Sequence, residues 1–230
     1  MEETLLKTGE YMYEDIAVCL PYVSGTVIDV GAHVGLWTIP MSKKADRIIA
    51  IESLDTTFAL LEKNVGANDA ENVELHNILL GNPGMKYSSG GSTASGSNHY
   101  LENGSVPGQT LDDLVHVKVS FIKIDVEGME PEVLAGARRI LAESSPVLFI
   151  EVNPRVLKKL CRRPSDISKH LAGYNFYRFS PIHGLCRIPY LMNSFYNFLA
   201  VPKKNSQPKS TNFFYYIALR CLEKIQGDTR

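Results

Sequence analysis

The stretch Val27-Ile28-Asp29-Val30-Gly31-Ala32-His33-Val34-Gly35-Leu36-Trp37-Thr38 constrains this chain more than any other. Its apolar run reads as a strand, its glycines as a tight turn, and Leu36 onward as the start of an apolar helix. A second apolar run, Arg47 to Ile51, ends at Glu52. Strand, glycine turn, helix, strand and acid form a βαβ unit suited to a nucleoside, with the acid placed for ribose hydroxyls.

The glycine spacing selects among nucleosides. A pyrophosphate cofactor calls for G-x-G-x-x-G, so that backbone amides can press against the phosphates. Here His33 takes the middle position and Leu36 the last, leaving Gly31 and Gly35 spaced G-x-x-x-G. Such a loop turns tightly but is poorly built for two phosphates. S-adenosylmethionine carries adenosine without phosphates, and its sulfonium and amino-acid end suit a loop opened by Asp29. The residues therefore favour this methyl donor over a dinucleotide. The plainer alternative is a structural βα turn in some other α/β protein.

A chain of 230 residues suits one α/β domain. The formal net charge of −1 supplies no field to gather nucleic acid or an acidic membrane. Cys19, Cys161, Cys186 and Cys221 are scattered, which argues against a zinc site or disulfide framework and for a reducing, cytoplasmic setting. MEETLLKTGE does not read as a signal peptide, and no run approaches the length of a membrane span.

Apolar periodicity predicts a helix over 10–20, with strands at Thr26–Val30, Arg47–Ile51, Val73–Leu80, Lys118–Asp125 and Pro146–Val152. Helices are expected over 36–42, from an Asp55 N-cap with Phe58, Leu61 and Val65 inward, over 131–141, and as one basic helix over 156–171. In that last helix Lys158, Lys159, Arg162, Arg163 and Lys169 read as a solvated face. Gly81–Gly108 is rich in Gly and Ser and has too little apolar content for a core, so it reads as a disordered insertion or a mobile lid. Two aromatic antiparallel strands near 174–179 and 195–201 close the sheet, joined by a loop holding His183, Gly184 and Pro189. A methyltransferase domain is thus expected over 1–204, with a polar linker and an amphipathic helix, Phe213–Ile225, over 205–230. That helix is a candidate for contact with a second copy, a partner or a membrane surface. Strands alternating with helices call for a parallel sheet covered on both faces, with its ligand at the carboxyl ends of the strands.

Three blocks give the chain a familiar look: VIDVGAHVGLWT at 27–38, QTLDDL at 109–114 and FIKIDVEGMEPEVLAGARRIL at 121–141. With the closing FLAVPKK at 198–204, the chain resembles the FkbM family of S-adenosylmethionine-dependent methyltransferases. The resemblance implies a Rossmann-like, class I fold, a seven-stranded mostly parallel sheet with the last strand antiparallel. It also implies methyl transfer, usually to oxygen, on a sugar, a glycolipid or another small molecule. His33 departs from the Asn common in that family, yet an imidazole can still donate to the amino-acid end of the donor.

The expected donor site comprises Asp29, Gly31, His33, Gly35, Thr38, Glu52, Ser53, Asn77 and Asp125. Glu52 takes the ribose hydroxyls, Ser53 and Leu54 line the adenine, and Asn77 or a neighbour meets its edge. Trp37 packs the helix on the sheet. An alcohol acceptor must lose a proton as it attacks, which nominates Asp125 and Glu127, one orienting and one accepting. They would share a face if the strand continued through both. Alternatively, Glu127 binds backbone amides and shapes the turn before Pro131. Glu151 is a further carboxylate that either orients a neighbour or joins Asp125 at magnesium, which the carboxylate count permits and no spacing demands. His76 reads as structural or exposed, while His99 and His183 lie in loops from which an acceptor is within reach. Competing classes are a protein or nucleic-acid methyltransferase, whose Pro-Pro-aromatic motif is missing after the fourth strand, and a non-catalytic donor-binding module, whose broken loop is not seen.

Overall fold

The computed structural model describes residues 13–90, 99–102, 104–180, 184–189 and 196–205. The predicted helix at 213–225, the His183 loop and the linker beyond residue 205 lie outside these residues. The chain opens with α1 (Tyr13–Cys19) and a short 3-10 turn, Leu20–Tyr22, halted by Pro21.

The central strands are β1 (Thr26–Val30), β2 (Arg47–Ile51), β3 (Val73–His76), β8 (Phe121–Ile124) and β9 (Val147–Val152). Pairing is parallel throughout this set, in the order β3-β2-β1-β8-β9. These strands are apolar on both faces because helices cover both. Val27, Phe121 and Phe149 meet Trp37 and Met41 on one side, while Ile28, Ile122, Leu148 and Ile150 meet Leu134 and Leu157 on the other. The indole of Trp37 lies 4.7 Å from the Phe149 ring, the packing role expected of it.

Beyond β9 the sheet continues with β12 (Tyr196–Pro202), β10 (Tyr174–Ser180) and β11 (Gly184–Ile188). β12 runs antiparallel to both β9 and β10, as the aromatic pair suggested. β11 makes the described sheet eight-stranded rather than seven, because Gly184–Ile188 pairs with β10 where a loop was expected.

The Gly81–Gly108 stretch departs most from expectation. The predicted strand over 73–80 divides, and β4 (Leu79–Leu80) leaves the main sheet. It joins β5 (Lys86–Gly90), β6 (His99–Glu102) and β7 (Val106–Gln109) in a second sheet ordered β4-β7-β5-β6. Tyr87 organises it. Its ring is fully buried against Leu79 and Met129, and its hydroxyl accepts from the Asn82 amide at 2.9 Å. The small residues that looked incapable of a core make room for it. A Cβ on Gly104 would stand 1.9 Å from the Tyr87 backbone, and one on Gly81 would stand 2.7 Å from its ring.

The other helices are α2 (Thr38–Ser42), α3 (Asp55–Ala67), α4 (Leu111–Leu114), α5 (Glu130–Ala135), α6 (Arg138–Glu143), α7 (Pro154–Lys159) and α8 (Pro164–Ser168). Leu54, not Asp55, is the N-cap of α3. Two single helices expected from periodicity are pairs. The 131–141 helix breaks at Gly136, where Thr110 packs close and the Gly136 carbonyl accepts from the Asp112 amide. The Asp112 carboxylate then accepts from the amides of Arg139 and Ile140, capping α6. The basic 156–171 helix breaks at Cys161, with φ +56°, ahead of Pro164. Among the described residues, no helix is long and apolar enough to cross a membrane.

Candidate active site

The Gly31 turn sits at the carboxyl end of β1, between β2 and β8. Gly31 has φ +76°, and a Cβ there would lie 1.9 Å from the Asp125 carbonyl oxygen, so only glycine fits. Three successive amides of the turn point into the protein. Gly31 and Ala32 both donate to the Ile51 carbonyl at 2.9 Å, and His33 donates to Glu52 Oε2 at 2.9 Å. Amides committed in this way cannot cradle phosphates, which gives the glycine-spacing argument a direct physical basis.

Glu52 is nearly buried at the end of β2. Its second oxygen, Oε1, accepts from the Leu54 amide at 2.9 Å. Each oxygen still has a further lone-pair direction for an incoming hydroxyl. Ser53 is half-buried beside it. Asn77 is exposed in the turn after β3, its amide donating to Asp55 at 2.7 Å. Gly35, with φ +95°, turns the chain toward α2.

Asp29 and Thr38 lie beneath this turn, both fully buried. The Thr38 hydroxyl donates to Asp29 Oδ2 at 2.6 Å. Asp29 Oδ1 faces the Lys123 ammonium at 3.4 Å, an ion pair without hydrogen-bond geometry. Lys123, within the FIKIDVEG block, was not among the expected site residues, yet it ties the site together. Its Nζ donates to the Gly31 carbonyl at 2.7 Å and stands 3.6 Å from Asp125. Burial pushes the ammonium's pKa down, but the charges of Asp29, Asp125 and Glu151 outweigh it and hold the pKa above its usual value.

Carboxylates crowd the other side of Lys123. Asp125 is partly exposed just past β8, which ends at Ile124. Glu127 has φ +48°, so the extended strand does not run through both residues and the shared face expected from alternation does not arise. Glu127 instead meets the Asn153 amide at 3.5 Å. Burial, then the Asp125 charge, pushes its carboxyl upward. The amide-binding role considered for Glu127 belongs to Glu130, which is buried and accepts from the Gly128 amide at 2.9 Å. The sequence signal for Glu130 was an acid in the first turn of a helix, ahead of Pro131. Glu151, near the end of β9, is pushed up to about 8 by burial and by Asp125, against the opposing pull of Lys123. Among the described residues, no group of three or more His, Cys, Asp or Glu is arranged to hold a metal ion.

Burial also raises Glu130, to about 8. The folded protein therefore keeps a proton that the unfolded chain releases near its ordinary value of 4.5. Stability falls as pH rises through that window, by up to roughly 1.4 kcal/mol per pH unit for one such group. Melting temperatures of the unliganded protein should decline from about pH 5 to about pH 8. In Glu130→Gln, which keeps an acceptor for the Gly128 amide, the decline should be shallower. An unchanged slope in that variant would remove the assignment.

The doubly wound sheet, its antiparallel closing strand and the acid at the end of β2 define a Rossmann-like, class I methyltransferase fold. The sequence profile of the Methyltransferase FkbM domain matches residues 29–176, more than half of the chain, and the chain belongs to the FkbM methyltransferase family. Among solved structures it is similar to Methyltransferase FkbM from Methylobacillus flagellatus KT, at 20% identity and a TM-score of 0.51, over 80% of this chain and 47% of that one. This chain thus spans about half the length of that relative. It is also similar to SMU.1697c from Streptococcus mutans, solved in complex with SAH, at 11% identity and a TM-score of 0.50, over 83% of this chain and 97% of that one. No curated protein matches the sequence significantly.

Proposed function

We propose that this protein transfers a methyl group from S-adenosylmethionine to a hydroxyl oxygen of a sugar, glycolipid or small metabolite. The observation that carries the donor assignment is the inward closure of the Gly31, Ala32 and His33 amides beside the Glu52 carboxylate. This arrangement suits an adenosine without a pyrophosphate. The acidic side chains of Asp125 and Glu127 at this end of the site also suit a cationic sulfonium. The SAH-bound S. mutans neighbour and the family match favour the same donor.

The bound donor supplies an electrophilic methyl carbon with a neutral thioether as leaving group. The protein's share is alignment and proton removal. Glu52 holds the ribose, and the Gly31–Gly35 turn, braced from beneath by Asp29, Thr38 and Lys123, fixes the donor's amino-acid end. Asp125 orients the acceptor hydroxyl. Glu127, whose carboxyl is raised by burial and by Asp125, accepts the hydroxyl proton as oxygen bonds to the methyl carbon and the carbon–sulfur bond breaks.

Glu127→Gln tests this assignment. Turnover of methyl label into a carbohydrate or metabolite extract should fall by about 10²–10⁴-fold, the usual range for a general base. Donor affinity, measured by calorimetry, should change little. Full activity in the variant would eliminate Glu127 as the proton acceptor.

A further inference from the structure

A cleft of about 680 Å³ lies beside the active site, along α7 and the turn into α8. It is lined by Arg155, Lys158, Arg162, Arg163, Cys161 and two prolines, with no acidic residue. Five basic side chains on this segment read in sequence as a solvated face. The break at Cys161 changes that geometry. It folds Arg162 and Arg163 back toward Arg155 and Lys158, while Lys159 and Lys169 stay out of the lining.

The four cations are not equivalent. Arg162 is compensated, pairing with Glu132 at 2.7 Å and donating to the Gly128 carbonyl at 3.2 Å. Arg163 donates its backbone amide to Asp166 Oδ2 at 2.8 Å, and its guanidinium has that carboxylate as a neighbouring charge. Arg155 and Lys158, one turn apart on α7, form no ion pair among the described residues. Like charges at this spacing repel, so the arrangement is unfavourable until an anion enters. The acids of the turn after β8 are engaged elsewhere: Asp125 stands beside Lys123, Glu127 meets the Asn153 amide, and Glu130 accepts from the Gly128 amide.

The cleft is also physically joined to the reacting end of the site. Asn153 contacts Glu127 and caps α7 through the amides of Arg155 and Val156. Gly128, with φ +99°, packs so closely on Leu160 and Val156 that a Cβ would lie 2.7 Å from the Leu160 side chain. The Glu127 turn therefore rests on the wall of the cationic cleft.

We propose that this cleft binds a phosphate or pyrophosphate group carried by the methyl acceptor, holding its hydroxyl near Glu127. The inference rests on the methyl-transfer reading and narrows its acceptor to an anionic, phosphate-bearing molecule. Guanidinium and ammonium groups converging on one space match phosphate oxygens in charge and geometry. The volume suits a group of this size with part of its carrier.

The test uses pyrophosphate as the probe, titrated calorimetrically into the full chain and into Arg155→Gln/Lys158→Gln. Both side chains are exposed, so the variant should melt like the wild type. The wild type should bind pyrophosphate saturably, less tightly as salt is added, and the variant should bind about tenfold more weakly or worse. S-adenosylmethionine, titrated into the same samples, should bind both proteins equally. Donor binding without saturable pyrophosphate binding, or equal pyrophosphate affinity in the variant, overturns the anion site alone. Pyrophosphate binding without donor binding overturns the methyl-transfer reading and leaves the anion site standing. Sedimentation with phosphatidylcholine vesicles, with and without phosphatidic acid, distinguishes the source. Variant-sensitive pelleting with the acidic vesicles identifies a lipid headgroup. Pyrophosphate binding without pelleting identifies a soluble phosphate compound.

Discussion

Lys123→Met should destabilise the folded protein by about 3–5 kcal/mol, the usual result of removing one partner from a buried ion pair. In a domain of this size that corresponds to a fall in melting temperature on the order of 10 °C. The methionine fills the space of the lysine stem, so the loss is electrostatic. Asp29 has no exposed surface, and its other oxygen is held by Thr38. Without the ammonium its charge has only that hydroxyl for company. The Gly31 carbonyl loses its 2.7 Å donor as well, and the donor turn loses its brace. Adding Asp29→Asn removes the stranded charge while keeping an acceptor for Thr38. The double variant should therefore melt higher than Lys123→Met alone, a coupling expected only for groups in contact. Thermal melts of the three proteins check it. A Lys123→Met melt within a degree or two of wild type would show that Asp29 needs no counter-charge.

Glu52→Ala carries the second large effect. The side chain does two things, receiving the His33 and Leu54 amides and presenting an acid at the end of β2. Removing it leaves two amides without their partners, at a cost of about 1–3 kcal/mol each where water cannot reach them. It also removes the acceptor proposed for the ribose hydroxyls. Charge-assisted bonds of this kind contribute about 1.5–3 kcal/mol each, so donor affinity should drop by at least tenfold to a hundredfold. Calorimetric titration of S-adenosylmethionine checks the affinity, and melting checks the fold. Unchanged affinity in a folded variant would remove the ribose assignment.

The turn and strand end proposed to hold the donor were legible in the sequence as local structure. Gly31, Gly35, Glu52 and the apolar runs around them are local signals, because a tight turn and a strand end are written in neighbouring residues. Lys123 and Glu130 were harder to see, since a buried titratable group is recognisable only when its partners are known. Those partners, Asp29 and Gly31 for Lys123, lie on another strand and in the turn that follows it. Tyr87 was missed for a related reason. Its stretch has too few apolar residues to suggest a core, but a single ring among glycines and Leu79 is enough to order a small sheet. The helix breaks at Gly136 and Cys161 were also hidden, because apolar periodicity continues across a kink that tertiary contacts impose. The second of those breaks creates the cationic cleft.

The central claim is that adenosine lies in the crevice between the Gly31–Gly35 turn and Glu52, without phosphates. A crystal structure of the protein with S-adenosylhomocysteine tests it most directly. The account predicts ribose hydroxyls on the Glu52 carboxylate and the sulfur facing Asp125 and Glu127. Nucleoside density elsewhere, or a crevice that stays closed at saturating ligand, would contradict it.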